Sequence, residues 1–120
     1  MIDAKELRIG NWVLINGRFI YMDAKIFHVV ILGFEGYEPE PISLTPEILE
    51  KCGFDIDLDN FNWNAYKEFE NNGLSHYVSL RFNKTKQFWF FRHAASPIKH
   101  IHQLQNLYFA LTGKELDVKL

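Results

Sequence analysis

Histidines, one cysteine and a run of alternating aspartates are the residues of this chain that could do chemistry. His93, His100 and His102 are the closest histidines, but residues two apart on a helix point about 200° from each other. His100 and His102 are therefore not expected to share a metal ion. No carboxylate lies between Asn71 and Lys114, and the one thiol is distant in sequence. The spacing predicts neither a metal site nor a cofactor.

Cys52 is the single cysteine of the chain and therefore its one candidate thiol nucleophile. It follows a short predicted helix among apolar neighbours, where a lone cysteine is usually part of the core. The acidic stretch DIDLD (residues 55–59) lacks the glycine and the closing glutamate of a calcium-binding loop. No phosphate-binding loop and no nucleophile elbow is present. A non-enzymatic protein is therefore expected, and a small enzyme without a sequence motif is the third alternative.

The segment RFNKTKQFWFFRH, residues 81–93, is the strongest candidate for binding. It interleaves cations with aromatic rings, as single-stranded nucleic acid binders do to hold phosphates and to stack on bases. In a strand, Trp89 and Phe91 face one way, and Phe88 and Phe90 face the other. Either the strand is buried on both faces or one aromatic pair is exposed. The candidate nucleic-acid or partner-binding residues are Arg81, Lys84, Lys86, Trp89, Phe91, Arg92 and His93.

Gln105 is the other residue that calls for an explanation. On a helical wheel it falls inside the apolar arc of the last predicted helix, between Ile101 and Ile98, whereas Gln103 and Asn106 lie on the opposite, polar face. A buried glutamine must bond a backbone group or lose roughly 1–3 kcal/mol. Gln105 is therefore either a structural amide that fixes the helix on a sheet or part of an interface with a second molecule.

Short antiparallel strands are predicted for the first part of the chain. Asn16-Gly17 is the preferred dipeptide of a two-residue hairpin between the strands Trp12–Ile15 and Arg18–Met22. The apolar run Ile26–Leu32 predicts a third strand. The segment 33–41 has two glycines and two prolines and is a predicted loop. These elements favour a small meander or half of an SH3-like barrel.

A short helix and a second hairpin are predicted next. Thr45 is a suitable N-cap, Pro46 suits the first helical position, and Gly53 can end the helix in the left-handed conformation. Residues 61–70 fit both a helix and a strand, but the turn ENNG before the alternating run Tyr77–Phe82 favours a strand. The last helix is predicted to follow a cap at Ser96-Pro97.

The end of the chain completes the predicted architecture. Gly113 should end the last helix, and Leu116, Val118 and Leu120 alternate as a terminal strand. We therefore expect one α+β domain over residues 1–120. It would be a small antiparallel β domain of SH3-like or meander type, with a short middle helix, a second hairpin and a C-terminal helix plus strand.

Composition limits the class of protein. The chain has 120 residues, 48% of them hydrophobic and 16% aromatic, which suffices for one folded core and argues against disorder. No stretch approaches the ~20 apolar residues of a membrane span, and the N-terminus has no signal-peptide core. A single cysteine excludes an internal disulfide, so a reducing cytoplasm is expected.

Charge is distributed unevenly along the chain. Residues 1–60 carry 11 acids and 5 bases, whereas residues 61–120 carry 4 acids and 8 bases. The simpler interpretation is two solvated faces. Complementary charge could also pair molecules head to tail.

Three blocks of the sequence occur in a recognisable order: LRIGNWV, EPISLTPEILEKCGF and IKHIHQLQNLYFALTGKEL. Together they resemble a family of small, uncharacterised bacterial proteins that are often found in prophages and other mobile elements. The resemblance implies a mobile-element origin and a one-domain architecture, and it implies no catalytic or binding residue.

The expected function is a non-enzymatic binding or assembly module of prophage or mobile-element origin. Its partner would be an unknown protein or a second copy of the chain, with no membrane involved. The alternative is a single-stranded nucleic-acid-binding module that uses the basic and aromatic hairpin 81–93.

Overall fold

A computed structural model describes residues 2–58, 63–91 and 97–120. Within these ranges the chain forms three α-helices and two antiparallel sheets. The helices are α1 (Ala24–Ile31), α2 (Pro46–Lys51) and α3 (Ile101–Thr112). The small sheet pairs β1 (Trp12–Ile15) with β2 (Arg18–Tyr21). The large sheet has the order β3 (Asp55–Leu58), β4 (Trp63–Asn71), β5 (Leu74–Asn83), β6 (Phe88–Phe91) and β7 (Pro97–Ile98).

The α+β class predicted from the sequence is confirmed, but the SH3-like barrel is not. The five-stranded sheet is an open meander whose edge strands are β3 and β7. The N-terminal hairpin forms a separate two-stranded sheet and does not continue into the large one.

The predicted Asn16-Gly17 hairpin is confirmed. Asn16 has a φ of 53° and Gly17 a φ of 76°, so both central residues adopt the left-handed conformation of a mirror-image turn. The turn sets Ile15 opposite Arg18 and Trp12 opposite Tyr21.

The predicted third strand at Ile26–Leu32 is wrong, because this segment forms α1. The Asp23 carboxylate caps the helix by accepting a hydrogen bond from the Ile26 amide at 2.9 Å. Ile26, Phe27 and Val30 lie on one helical face and pack against the hairpin. A short run rich in β-branched residues fits both structures, and here the cap and the three-to-four residue spacing of the packing side chains favour the helix.

The middle of the chain follows the prediction. The Thr45 hydroxyl caps α2 by accepting from the Ile48 amide at 3.2 Å, and Gly53 has a φ of 83° beyond the helix end. The strand interpretation of residues 61–70 is confirmed for β4, which begins at Trp63, whereas Phe61 lies outside the described residues. Asn72 and Gly73 have positive φ and turn the chain into β5.

The last helix starts later than predicted, and the strand predicted after it is absent. Ser96 lies outside the described residues, and Pro97 and Ile98 form β7 opposite Phe90 and Trp89 instead of opening a helix. α3 begins at Ile101 and ends before Gly113, whose φ of 72° confirms the predicted stop. The predicted strand at 116–120 is not formed as a strand.

The C-terminal segment nevertheless packs where the alternation of its side chains suggests. Leu116 is buried in the main core, and Val118 and Leu120 pack against it. The segment is attached to α2 by one backbone hydrogen bond, from the Lys119 amide to the Lys51 carbonyl at 2.9 Å. A single bond of this kind does not make a ladder, so the segment remains irregular.

The core has two parts that meet at β1. The main core lies between α2, α3 and one face of the large sheet, and its fully buried members include Leu49, Leu80, Trp89, Ile101 and Leu104. The smaller core lies between α1 and the hairpin. Because side chains alternate along a strand, β1 sends Val13 and Ile15 into the smaller core, while Trp12 and Leu14 pack against the main one.

Gln105 joins α3 to the N-terminal hairpin. Its side chain is 1% exposed. Its Nε2 donates to the Gly10 carbonyl at 2.8 Å, and its Oε1 accepts from the Trp12 amide at 2.8 Å and from Asn11 Nδ2 at 3.4 Å. The prediction of a buried, bonded amide is therefore confirmed, and its partners are the edge of β1 and the loop before it.

The two amides on the polar face of α3, Gln103 and Asn106, also have structural partners. Asn106 Oδ1 accepts from Arg8 Nε at 2.8 Å and from Asn11 Nδ2 at 3.0 Å, and its Nδ2 donates to the Glu6 carbonyl. Gln103 Oε1 accepts from the Lys99 amide at 2.8 Å and, as a cap at the start of α3, from the His100 amide at 3.1 Å. The first and last blocks of the family resemblance thus contact each other.

Candidate binding surface

The residues proposed from the segment 81–93 do not form one surface. Trp89 is 1% exposed and lies in the main core, where its ring meets Phe82 edge-on at 5.2 Å between centroids. Phe91 is half-buried and packs against the same core. Trp89 cannot stack on a base, so its proposed role as a stacking residue is wrong, whereas Phe91 is partly exposed. The alternation placed them on the same face, and that face is the one covered by the helices.

The cations of the segment are divided between two places. Lys84 and Lys86 lie on the turn between β5 and β6, where Lys84 Nζ is 5.5 Å from the centroid of the Trp63 ring. Arg81 lies on the other face of the sheet, because it alternates with the buried Leu80. Arg92 and His93 lie outside the described residues.

The face of the large sheet that points away from the helices is the strongest candidate for binding. We call it the outer face. Ala65, Leu80 and Trp89 mark the core side, so their strand neighbours point outward. The outer face is formed by Asp55, Asp57, Asn64, Tyr66, Glu68, Glu70, Ser75, Tyr77, Ser79, Arg81, Phe88 and Phe90.

Two exposed tyrosines occupy the middle of the outer face. Tyr66 is 39% exposed and Tyr77 is 56% exposed. They sit diagonally on β4 and β5, and their rings meet edge-on at 6.1 Å with an interplanar angle of 74°. Beside them is a shallow pocket of about 300 Å³, lined also by Asn64 and Ser79. Large aromatic side chains exposed next to a concavity are typical of interfaces.

Carboxylates lie on one side of the tyrosine pair, on β3 and β4. Asp55 lies directly opposite Tyr66 on the neighbouring strand, and Glu68 lies directly opposite Tyr77. Asp57 and Glu70 extend the same face, and all four carboxylates belong to exposed residues. This half of the outer face therefore carries negative charge beside an aromatic centre.

Arg81 marks the other half of the outer face. It is half-buried and lies opposite Asn64 on one side and Phe90 on the other. Its Nε is buried and, among the described residues, has no hydrogen-bond partner. Lys99 extends this cationic side, since its Nζ lies 5.6 Å from the centroid of the Phe88 ring. The outer face is thus acidic along β3 and β4, and its cations are Arg81 on β5 and Lys99 beside Phe88.

Sequence reasoning missed the tyrosine pair, although a signal for one member was present. The alternation Val78, Leu80, Phe82 already assigns Tyr77 to the opposite face of β5. Tyr66 could be assigned only after the choice between helix and strand for residues 61–70. The dense aromatic run 88–91 instead forms β6, whose Trp89 belongs to the main core.

The rings of His100 and His102 lie closer together than two helical residues at this spacing would. His100 precedes α3, so the helical angle does not apply, and the rings of His100 and His102 stack at 5.7 Å with an interplanar angle of 8°. His102 Nε2 lies 3.2 Å from Glu6 Oε1, and His102 Nδ1 is buried without a partner among the described residues. No set of three or more metal-ligating side chains occurs in the described ranges.

Burial determines the protonation of these histidines. It lowers the pKa of His102 below its ordinary value of 6.5, and the nearby Glu6 carboxylate opposes the shift. Burial also lowers the pKa of His100, and the adjacent His102 adds to the effect. Burial therefore favours the neutral form of both imidazoles.

Cys52 is a core residue, as expected. Its side chain is fully buried, and burial raises the pKa of its thiol to about 12. The thiol is protonated at neutral pH and lacks the thiolate character that a nucleophile needs.

No helix in the described ranges is both long and apolar enough to cross a membrane. Comparisons of the chain with family models, with curated proteins and with solved structures found no match.

Proposed function

We propose that this protein is a non-enzymatic binding module that holds a segment of a protein partner on the outer face of its large sheet. The observation that carries the proposal is the pair Tyr66 and Tyr77, exposed side by side over a pocket of about 300 Å³. Tyrosine supplies a large contact area with little conformational entropy to lose, and it is enriched at binding hot spots. A sheet stabilised from its other face can present such a pair rigidly.

The residues around the tyrosines favour protein over nucleic acid as the partner. Phosphates would meet the carboxylates of Asp55, Asp57, Glu68 and Glu70, which repel a polyanion. The sequence-based nucleic-acid hypothesis also depended on Trp89, which is buried. The family resemblance supports a mobile-element origin for the module, and the single, buried thiol is compatible with a reducing cytoplasm.

A display library of random peptides tests the proposal. We expect selection against the native protein to enrich peptides whose binding is lost in the double variant Tyr66→Ser/Tyr77→Ser. Tyr37→Ser is the matched control, because Tyr37 is 45% exposed and lies outside the outer face. Circular dichroism checks that each variant is folded. Peptides that bind the double variant as well as the native protein, or a failure to enrich any peptide, would contradict the proposal.

A further inference from the structure

We infer that the partner segment is cationic: a lysine- or arginine-rich stretch of another protein binds across the tyrosine pair of the outer face. This inference rests on the proposed function and adds the chemistry of the partner to it. It is carried by the arrangement of charge around the rings. Asp55 and Glu68 are the direct cross-strand neighbours of Tyr66 and Tyr77.

The spacing of the carboxylates suits an extended segment. Asp55 and Asp57 are alternate residues of β3, and Glu68 and Glu70 are alternate residues of β4, so each pair lies along one strand on one face. Alternate residues of a strand are about 6.5–7 Å apart. An extended peptide that runs parallel to these strands can place alternate lysines or arginines at the same repeat, so that successive cations meet successive carboxylates.

The tyrosines add an interaction that is selective for cations. A guanidinium or ammonium group over a tyrosine face within about 6 Å is attracted by the ring quadrupole. This chain uses the same contact internally, because the Arg8 guanidinium lies 4.9 Å from the centroid of the Phe109 ring. Tyr66 and Tyr77 meet edge-on and are both exposed, so ring surface remains available for a partner. Available rings with carboxylates along their β3 and β4 side are complementary to a basic segment and repel an acidic one.

A second copy of the chain is a less suitable occupant than a separate basic segment. Neither of the cations described on or beside the outer face is well placed to meet the carboxylates of a second copy. Arg81 is half-buried, and the Lys99 ammonium group lies against the Phe88 ring. Self-association through the lysines of the turn at 83–87 is nevertheless a distinct outcome that light scattering reveals.

The experiment takes the tyrosine-dependent peptides from the library selection and measures their affinities by fluorescence anisotropy. We expect these peptides to carry net positive charge and to bind more weakly as salt is raised. Asp57→Asn and Glu68→Gln should each weaken binding by about 1.5- to 5-fold, the range for exposed charge pairs. Glu35→Gln/Glu38→Gln is the matched control, because it removes two exposed charges outside the outer face. It should leave affinity unchanged.

The outcomes separate this inference from the function on which it rests. Tyrosine-dependent peptides that are neutral or acidic, or binding that is insensitive to Asp57→Asn and Glu68→Gln, would overturn the cationic partner and leave the binding module standing. Tyrosine-dependent binding of an oligothymidylate, or dimers abolished by Tyr66→Ser/Tyr77→Ser, would likewise replace the basic segment with a different occupant. If no peptide depends on the tyrosines, both proposals fail.

Discussion

Replacing Gln105 with leucine should destabilise the protein even though it makes a buried side chain more apolar. The native amide bonds the Gly10 carbonyl and the Trp12 amide, both at 2.8 Å. Leucine has a similar size but satisfies neither group, and each buried group left without a partner costs about 1–3 kcal/mol. The extra apolar burial returns about 1–2 kcal/mol, since the methylenes of Gln105 are already buried. The two groups together cost about 2–6 kcal/mol, so the net loss should be about 2–3 kcal/mol, the middle of the resulting range.

Urea denaturation followed by circular dichroism measures this loss. For a slope of about 1–3 kcal/mol per molar urea, a loss of about 2–3 kcal/mol should lower the midpoint by about 0.7–3 M. Gln103→Leu is the comparison, because Gln103 is partly exposed and water can replace its cap, so its loss should be smaller. An unchanged or raised midpoint for Gln105→Leu would refute the structural role of the amide. If the oligomeric state changed at the same time, the amide would belong to an interface.

Three further predictions concern buried side chains. Trp89→Ala should lower the free energy of unfolding by about 3–5 kcal/mol, measured by urea denaturation, because a fully buried ring is removed. A loss near zero would contradict the position of Trp89 in the core. Because the pKa values of His100 and His102 are lowered on folding, the unfolded chain binds more protons just below pH 6.5, so stability should fall as pH falls through that value. The His102→Gln variant should show a flatter dependence of unfolding free energy on pH in this window, and an unchanged slope would contradict the assignment. Cys52, whose pKa burial raises to about 12, should react with an aromatic disulfide reagent at pH 8 only after denaturation; rapid reaction of the native protein would contradict its burial.

Local signals were sufficient where the chemistry of a few neighbouring residues decides the structure. The Asn16-Gly17 turn, the Thr45 cap and the stop at Gly113 follow from backbone conformations and hydrogen bonds within a few residues. Local signals were not sufficient for the segment 26–32. Its composition favours a strand, and the cap at Asp23 together with packing against the hairpin makes it a helix.

The sequence showed that Gln105 needed a hydrogen-bond partner, but it could not identify a partner that is distant in the chain. The position of Gln105 in an apolar arc required a bonded backbone group, and the structure supplies one from the opposite end of the chain. The outer face required more than local reasoning, because its carboxylates come from β3 and β4 and its tyrosines come from β4 and β5. Which residues share such a face depends on strand register, and register depends on the whole sheet.

The most direct test of the central claim is to map where a selected peptide binds, using amide chemical shifts of the labelled protein. The account predicts that the shifts change at Tyr66, Glu68, Tyr77 and Ser79 and at their neighbours on β3–β5, with little change along α1. Shift changes concentrated at residues 33–38, or at the turn 83–87, would contradict binding through the outer face.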